Sequence, residues 1–328
     1  MPKWTRYDPQ VLEDAEKNLI KFTGIPIEKV KVPVDPYNFL YCLTCGDPAN
    51  PPLVLLHGYG GSGLIFYKII KDLASKHYLY IVDHLGMGRS SRPTFKAFDT
   101  NSAETFFVEP IEQFRKVMGL NRFILAGHSF GGYIAGCYTL KYSEHVEKIL
   151  FISAVGIPTQ PKDYDFMNEL KGDWKFRWIQ KLVMFLWVRN ITPAFIMRIM
   201  GPFGKLFLDH MVHDRATSIG KDEEKVMINY LEQINLLPGS GEYGLAYVLY
   251  PGAWAKNPLC QRIHSLKIPM AFFYGDRDWV KPDGAEEVIE KSNGMVLIYT
   301  ITGSDHHLYW DNPKELTEKI YHALETLK

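Results

Sequence analysis

The chain has 328 residues, a length that suits two domains or one large domain carrying an insertion. Its 46% hydrophobic and 23% charged residues are ordinary globular usage, which excludes wholesale disorder. The 37 Lys+Arg balance 37 Asp+Glu, so there is no net basic field to hold nucleic acid. The N-terminus has neither an apolar h-region nor a small-residue cleavage site. The longest strongly apolar stretch, 182–188, is far short of the roughly 20 residues needed to cross a bilayer. The expectation is a cytoplasmic protein without a membrane span.

In chain order, the first strand-like runs are 30–34 and 39–44, joined by Asp35-Pro-Tyr-Asn, a turn signal that predicts an edge hairpin. Cys42 and Cys45 lie in or beside its second arm. Without a second ligand pair or a helix N-terminus they read, with Cys137 and Cys260, as reduced structural thiols. Short apolar runs follow at 53–56, 79–82, 123–126, 149–152, 270–274 and 296–301, too short for buried helices and without polar alternation. Helix-period segments at 102–118, 133–142 and 285–291 separate them, as in repeated βαβ units. Between 157 and 268 the rhythm breaks into helical patterns and then resumes. The expected fold class is α/β, a mostly parallel central sheet flanked by helices. Residues 1–156 and 269–328 form the core, and 157–268 a helical lid insertion.

After the run 123–126 stands Gly127-His128-Ser129-Phe130-Gly131-Gly132, a G-x-S-x-G element in strand–turn–helix context. Its small residues permit a sharp turn that exposes the serine hydroxyl. Serine becomes a nucleophile only when a base takes its proton and a carboxylate orients that base. Gly275-Asp276-Arg277-Asp278-Trp279 follows one later strand and Gly303-Ser304-Asp305-His306-His307 the next, giving the chain order Ser, Asp, His. Ser129, Asp278 and His306 are the candidate set, with Asp276 and His307 open as replacements. Acyl transfer also needs an oxyanion hole. The backbone N–H of Phe130 and that of Tyr59, in the glycine-rich loop His57-Gly58-Tyr59-Gly60-Gly61, are its expected donors. That loop lacks the Lys and Ser/Thr of a phosphate-binding P-loop. The segment starting Asp83-His84-Leu85-Gly86 reads as a structural turn, and His128 carries no assigned role.

With these motifs the chain resembles the α/β-hydrolases. It is most similar to their domain subfamily four and five, which includes lysophospholipases acting on N-acyl phospholipids, the lipase coactivator of lipid droplets, and fungal and plant lipid hydrolases. The resemblance rests on His57-Gly-Tyr-Gly-Gly, Leu85-Gly-Met-Gly-Arg-Ser-Ser-Arg-Pro, Gly127-His-Ser-Phe-Gly-Gly-Tyr, Gly201-Pro-Phe-Gly, Trp254-Ala-Lys-Asn-Pro-Leu and His306-His-Leu-Tyr-Trp-Asp-Asn-Pro. It implies the α/β-hydrolase fold and a serine hydrolase that cleaves acyl esters of phospholipids or lysophospholipids through an acyl-enzyme, with no metal or organic cofactor. The family pattern favours His306 over His307, because its histidine stands five residues before an acid, here Asp311. The coactivator has Asn at the nucleophile position, where this chain has Ser129, and a tryptophan-rich N-terminal anchor, where the first 30 residues here hold only Trp4. His306-x4-Asp311 also matches the glycerolipid acyltransferase motif, so a lysophosphatidic acid acyltransferase is the alternative, beside a non-enzymatic regulator of another lipase.

Within the insertion, residues 174–208 combine aromatic residues with Lys175, Arg177, Lys181, Arg189, Arg198 and Lys205 and contain no Asp or Glu. Aromatic and basic residues together suit an interfacial segment among anionic headgroups. Trp174, Lys175, Arg177, Trp178, Lys181 and Trp187 are therefore the expected lid contacts with substrate and membrane. Peripheral association with an anionic membrane or lipid droplet follows as an expectation.

Overall fold

The computed structural model describes residues 7–164, 166, 174–201, 203–204, 206, 219–292 and 294–327, with the backbone alone at 174–177 and 179. Eight strands form one sheet: β1 (Glu28–Pro33), β2 (Phe39–Cys45), β3 (Pro52–Leu56), β4 (Tyr78–Val82), β5 (Phe123–His128), β6 (Val146–Ile152), β7 (Met270–Gly275) and β8 (Val296–Ile301). Their spatial order is β1-β2-β4-β3-β5-β6-β7-β8. The pairs β1–β2 and β2–β4 are antiparallel and the rest parallel. Each of the six short apolar runs forms a strand, and the two arms of the expected hairpin pair at the sheet edge.

The apolar runs lack alternation because both faces of the sheet are covered. Val54 and Leu56 enter one core with the helices Thr100–Val117, Phe130–Lys141 and Asp283–Lys291. Leu53 and Leu55 enter the other with Pro9–Thr23, Tyr67–Ala74 and Pro313–Thr326. The helix Phe130–Lys141 is buried at every position from Phe130 to Thr139. An all-round apolar surface of this kind marks a helix packed on all sides.

The helices Pro9–Thr23 and Pro313–Thr326 lie outside the strand–helix alternation read from the sequence. Both carry a start signal: Asp8 accepts from Gln10 and Val11 N–H, Asn312 from Glu315 N–H, and a proline follows each cap. Between β6 and β7 the chain forms the helices Trp174–Val188, Pro193–Met200 and Lys221–Leu236. The last part of this interval returns to the sheet, with Val248, Ala255, Leu259 and Ile263 buried in the first core. All four cysteines are buried and free.

The helix Pro9–Thr23 is fastened by a charged cluster. Glu16 is fully buried, accepts from Tyr41 O–H at 2.8 Å, and pairs with Lys29 and Arg89. Glu13 pairs with the same two cations at 2.7 and 2.9 Å. Removing the buried anion leaves two part-buried cations with only the exposed Glu13 carboxylate and takes away the acceptor of the Tyr41 hydroxyl. Glu16→Ala should therefore cost about 3 kcal/mol in urea unfolding, several times the cost of Glu13→Ala. Equal costs would show that burial of Glu16 contributes nothing.

Candidate active site

The sheet reverses direction of growth between β3 and β5, and the crevice outside the strand ends at such a point is where open α/β sheets bind ligands. Ser129 stands there, after β5, with φ 54° and ψ −119°. This backbone is strained for a non-glycine residue, typically by about 1–3 kcal/mol. Neighbouring glycines make it sterically accessible: a Cβ on Gly127 would lie 2.3 Å from Gly131 O, and one on Gly131 2.4 Å from His57 O. Ser129 N–H donates to Ile152 O at 3.0 Å, tying the turn to the end of β6.

Loops after β7 and β8 bring two more expected residues to the hydroxyl. His306 Nε2 is 3.0 Å from Ser129 Oγ, and His306 Nδ1 is 3.2 Å from Asp278 Oδ1. Asp278 is fully buried and accepts Val280 N–H at 2.9 Å. Desolvation pushes its carboxyl up, but the hydrogen bond and charge of His306 outweigh that and hold it below the ordinary carboxylate value. In the tautomer that satisfies both contacts, Nδ1–H donates to Asp278 and Nε2 accepts from the serine.

The alternatives occupy other places. Asp276 accepts the N–H of Gly303 at 2.9 Å and of Ser304 at 3.1 Å, so it caps the loop that carries His306. His307 stacks on Trp310, with centroids 4.7 Å apart and planes at 12°. Asp311 accepts Asp305 N–H at 2.9 Å. The acid that faces the His306 ring is thus Asp278, and the H-x4-D spacing reflects a loop cap.

Phe130 is the first helical residue, so its N–H has no intrahelical acceptor. The N–H of Tyr59 is aimed through its own peptide plane. Gly58 O accepts from His57 Nδ1 at 2.7 Å and from Gly61 N–H at 3.2 Å. A trans peptide directs its N–H opposite to its carbonyl, so the Tyr59 donor points away from these two bonds. His57 Nε2 in turn accepts His84 N–H at 3.1 Å, which sets the tautomer. Asn235 Nδ2 donates to Gly60 O at 2.8 Å and pins the same loop from the helix Lys221–Leu236. His128 Nε2 lies 2.9 Å from His306 O and Nδ1 3.4 Å from Tyr309 Oη, so this imidazole braces the His306 loop. Sequence reasoning gave no role to His57, His128 or Asn235. The histidines had a signal in their adjacency to the loop and elbow glycines, whereas Asn235 had none.

A cleft of about 330 Å³ opens beside Ser129 and His306. Ile65, Ala194, Met197, Leu231 and Trp310 give it an apolar wall, and among the described residues none that lines it is Lys, Arg, Asp or Glu. Trp279, another lining residue missed by the motif search, lies with its ring 4.8 Å from that of His306.

Among the expected lid contacts, Trp178 is 64% exposed with Lys181 Nζ 5.2 Å from its ring centroid. Trp187 instead packs partly buried against the first core. The side chains of Trp174, Lys175 and Arg177 lie outside the described residues. The charge reading needs a correction at Arg198. Glu242, distant in sequence, accepts from its guanidinium at 2.5 and 3.0 Å, so one of the six cations is neutralised in space.

A family model for the alpha/beta hydrolase fold matches residues 51–313. An Arabidopsis thaliana 1-acylglycerol-3-phosphate O-acyltransferase is 34% identical over 283 residues, covering 83% of this chain and 66% of that protein. Human 1-acylglycerol-3-phosphate O-acyltransferase ABHD5 is 30% identical over 322 residues, covering 96% and 90%. The mouse (lyso)-N-acylphosphatidylethanolamine lipase is 31% identical over 266 residues, covering 80% and 75%. Among solved structures, a bacterial membrane phospholipase A superposes with a TM-score of 0.70 at 19% identity, covering 97% of this chain and 91% of its own.

The imidazoles around the site make stability depend on pH. Burial pushes His57 well below its ordinary value of 6.5, His84 down to about 4 and His128 down to about 3; for His128, repulsion from a charged His306 adds to desolvation. Each stays neutral when folded and gains a proton on unfolding below about pH 6.5, so stability present above that pH is lost as pH falls. Asp83 acts oppositely. Burial raises it to about 7, so its contribution grows as pH falls from 7 toward 4. His77, which burial also lowers, acts in the same sense, so four histidines against one carboxyl predict a net loss of stability between about pH 6 and 4.5, each uncompensated proton adding about 1.4 kcal/mol per pH unit. Urea unfolding across that range measures it, and a flat profile contradicts the neutral-imidazole arrangement.

Proposed function

The chain belongs to the α/β-hydrolase family, on the branch of ABHD5 and the (lyso)-N-acylphosphatidylethanolamine lipase, and from that premise we propose that it is a serine hydrolase cleaving acyl esters of phospholipids or lysophospholipids. The observation that carries this reading is the hydrogen-bonded line from Ser129 Oγ through His306 to buried Asp278, beside an uncharged cleft. In this mechanism His306 Nε2 takes the Ser129 proton as Oγ attacks the ester carbonyl. The Tyr59 and Phe130 N–H groups receive the developing oxyanion. Collapse of the tetrahedral intermediate expels the alcohol, lysophospholipid or glycerophospho-alcohol, which receives the proton from His306. Water, activated by the same imidazole, then cleaves the acyl-enzyme. The apolar wall suits the acyl chain, and with no charged residue among the described lining the headgroup is assigned to the mouth.

A fluorophosphonate probe tests the reading, since it traps an activated serine beside an oxyanion hole. Wild-type protein should label and Ser129→Ala should not; an unlabelled wild type on lipid vesicles returns the chain to a non-enzymatic lipid-binding role. Asp278→Asn and His306→Ala should each lower kcat by about two to four orders of magnitude with KM little changed. Asp276→Asn and His307→Ala should do much less, because they act on loop shape and on the cleft wall. The reverse ranking within either pair reassigns that member.

The reading includes peripheral docking of the lid on an anionic membrane. Among the described residues no single helix is long and apolar enough to cross a bilayer, while Gln180–Val188 and Pro193–Met200 form an apolar pair bent by 99°. Trp178, Leu182, Phe185 and Val188 are exposed on the first helix and Ile199 on the second. Arg189 lies 3.7 Å over the exposed Phe185 ring, a cation and an aromatic paired as an interfacial segment pairs them. Replacing Lys175, Arg177 and Lys181 by Gln should weaken partitioning onto phosphatidylserine vesicles while sparing hydrolysis of a soluble short-chain ester. Unchanged partitioning places the docking surface elsewhere.

A further inference from the structure

Two buried polar atoms beside the His306–Asp278 pair have no hydrogen-bond partner among the described residues: Asp278 Oδ2 and Ser153 Oγ. Both residues are fully buried. Ser153 follows β6, whose neighbours in the sheet are β5, carrying Ser129, and β7, leading to Asp278. Its N–H donates to Phe273 O on β7 at 2.8 Å, which holds it at the strand end nearest the Asp278 loop. Like Ser129 it has a positive φ, 43°, a conformation that a non-glycine residue adopts at a cost. The turn it opens also grips the elbow, since Val155 N–H donates to Ser129 O at 3.3 Å.

An ionised carboxylate accepts through both oxygens, and a buried oxygen left without a donor is costly. Oδ1 of Asp278 serves His306 Nδ1 and Val280 N–H, so Oδ2 is the oxygen in need. A serine hydroxyl is a donor whose proton turns about the C–O bond to suit an acceptor. The geometry points to Ser153 as a positioning residue: its hydroxyl donates to Asp278 Oδ2 and thereby fixes the carboxylate plane so that Oδ1 stays on the imidazole N–H. Ser153 is among the groups that hold the Asp278 carboxyl below its ordinary value, behind His306. No motif marked Ser153, because a serine between an apolar strand and Ala154-Val155-Gly156 reads as an ordinary turn residue.

This inference rests on the serine-hydrolase reading, and the test separates the two. Ser153→Ala removes the hydroxyl and keeps the strained backbone, whereas Ser153→Gly removes the hydroxyl and relieves the strain. Both should lower kcat on p-nitrophenyl butyrate by about tenfold with KM unchanged, while their melting temperatures diverge, Ser153→Gly being the more stable. The downfield proton NMR signal of the His306 Nδ1–H should shift or broaden in both. A purely structural Ser153 gives the opposite result: activity follows melting temperature, Ser153→Gly turns over like wild type, and the imidazole signal stays in place. If the wild type itself shows no esterase activity the hydrolase reading falls, and the imidazole signal alone then decides the role of Ser153: unmoved, it overturns the proposal.

Discussion

The structure depends on one close approach of backbone to backbone. Gly131, in the first turn of the elbow helix, sits against the carbonyls of Leu56 and His57 at the end of β3, where a Cβ would be 2.5 and 2.4 Å from the two oxygens. This contact presses the N-terminus of the helix Phe130–Lys141 onto the loop that carries Tyr59. Nucleophile and proposed oxyanion donors are therefore parts of one packed unit. A side chain at 131 would part the strand from the helix and open the site. The all-apolar surface of that helix follows from the same demand, since it is enclosed by the sheet, the helix Thr100–Val117 and the returning segment around Leu259.

Around this unit the protein spends neutral imidazoles where charged groups would have been harder to bury. His57 works through a carbonyl, His84 Nε2 lies 3.0 Å from His57 O, and His128 braces His306 O. A neutral imidazole offers one donor and one acceptor at fixed positions, so His57 joins Gly58 O to His84 N–H and His128 joins His306 O to the Tyr309 hydroxyl. Burial keeps these rings neutral, and neutrality in turn keeps the loops together. His306 differs from them in lying between the Asp278 carboxylate and the Ser129 hydroxyl, the position that the proposed mechanism uses.

Much of the architecture was legible because its causes are local. Runs such as 123–126 and 270–274 are buried on both faces and read as strands, and the glycines of the elbow declare a turn that no other residue fits. The candidate residues Ser129, Asp278 and His306 could be placed because the ends of parallel strands fall on one edge of the sheet. What the sequence could not separate was Asp276 from Asp278, since both follow β7 and only the loop's path decides that one caps Gly303 and the other enters the interior. The helices Pro9–Thr23 and Pro313–Thr326 were overlooked although Asp8-Pro9 and Asn312-Pro313 announced them. Asn235 and Ser153 were invisible for another reason: their partners, Gly60 O and Asp278, lie far away in the chain.

The lid shows the same limit for charge. Counting along the chain gives residues 174–208 six cations and no anion, but charge acts in space and not along the sequence. Glu242 reaches Arg198 from the segment that returns to the sheet and is joined there by Thr192 Oγ1 at 2.6 Å. The helix Pro193–Met200 is thereby latched over the cleft at its buried side, while Lys181 and Arg189 remain outward with their aromatic partners. The two helices of the bent pair thus divide the work by position. Pro193–Met200 gives Ala194 and Met197 to the cleft wall, and Trp174–Val188 carries the exposed aromatic and basic residues. Acyl chain and headgroup would then fall to different helices of the lid, the one that lines the cleft and the one whose Lys181 faces outward.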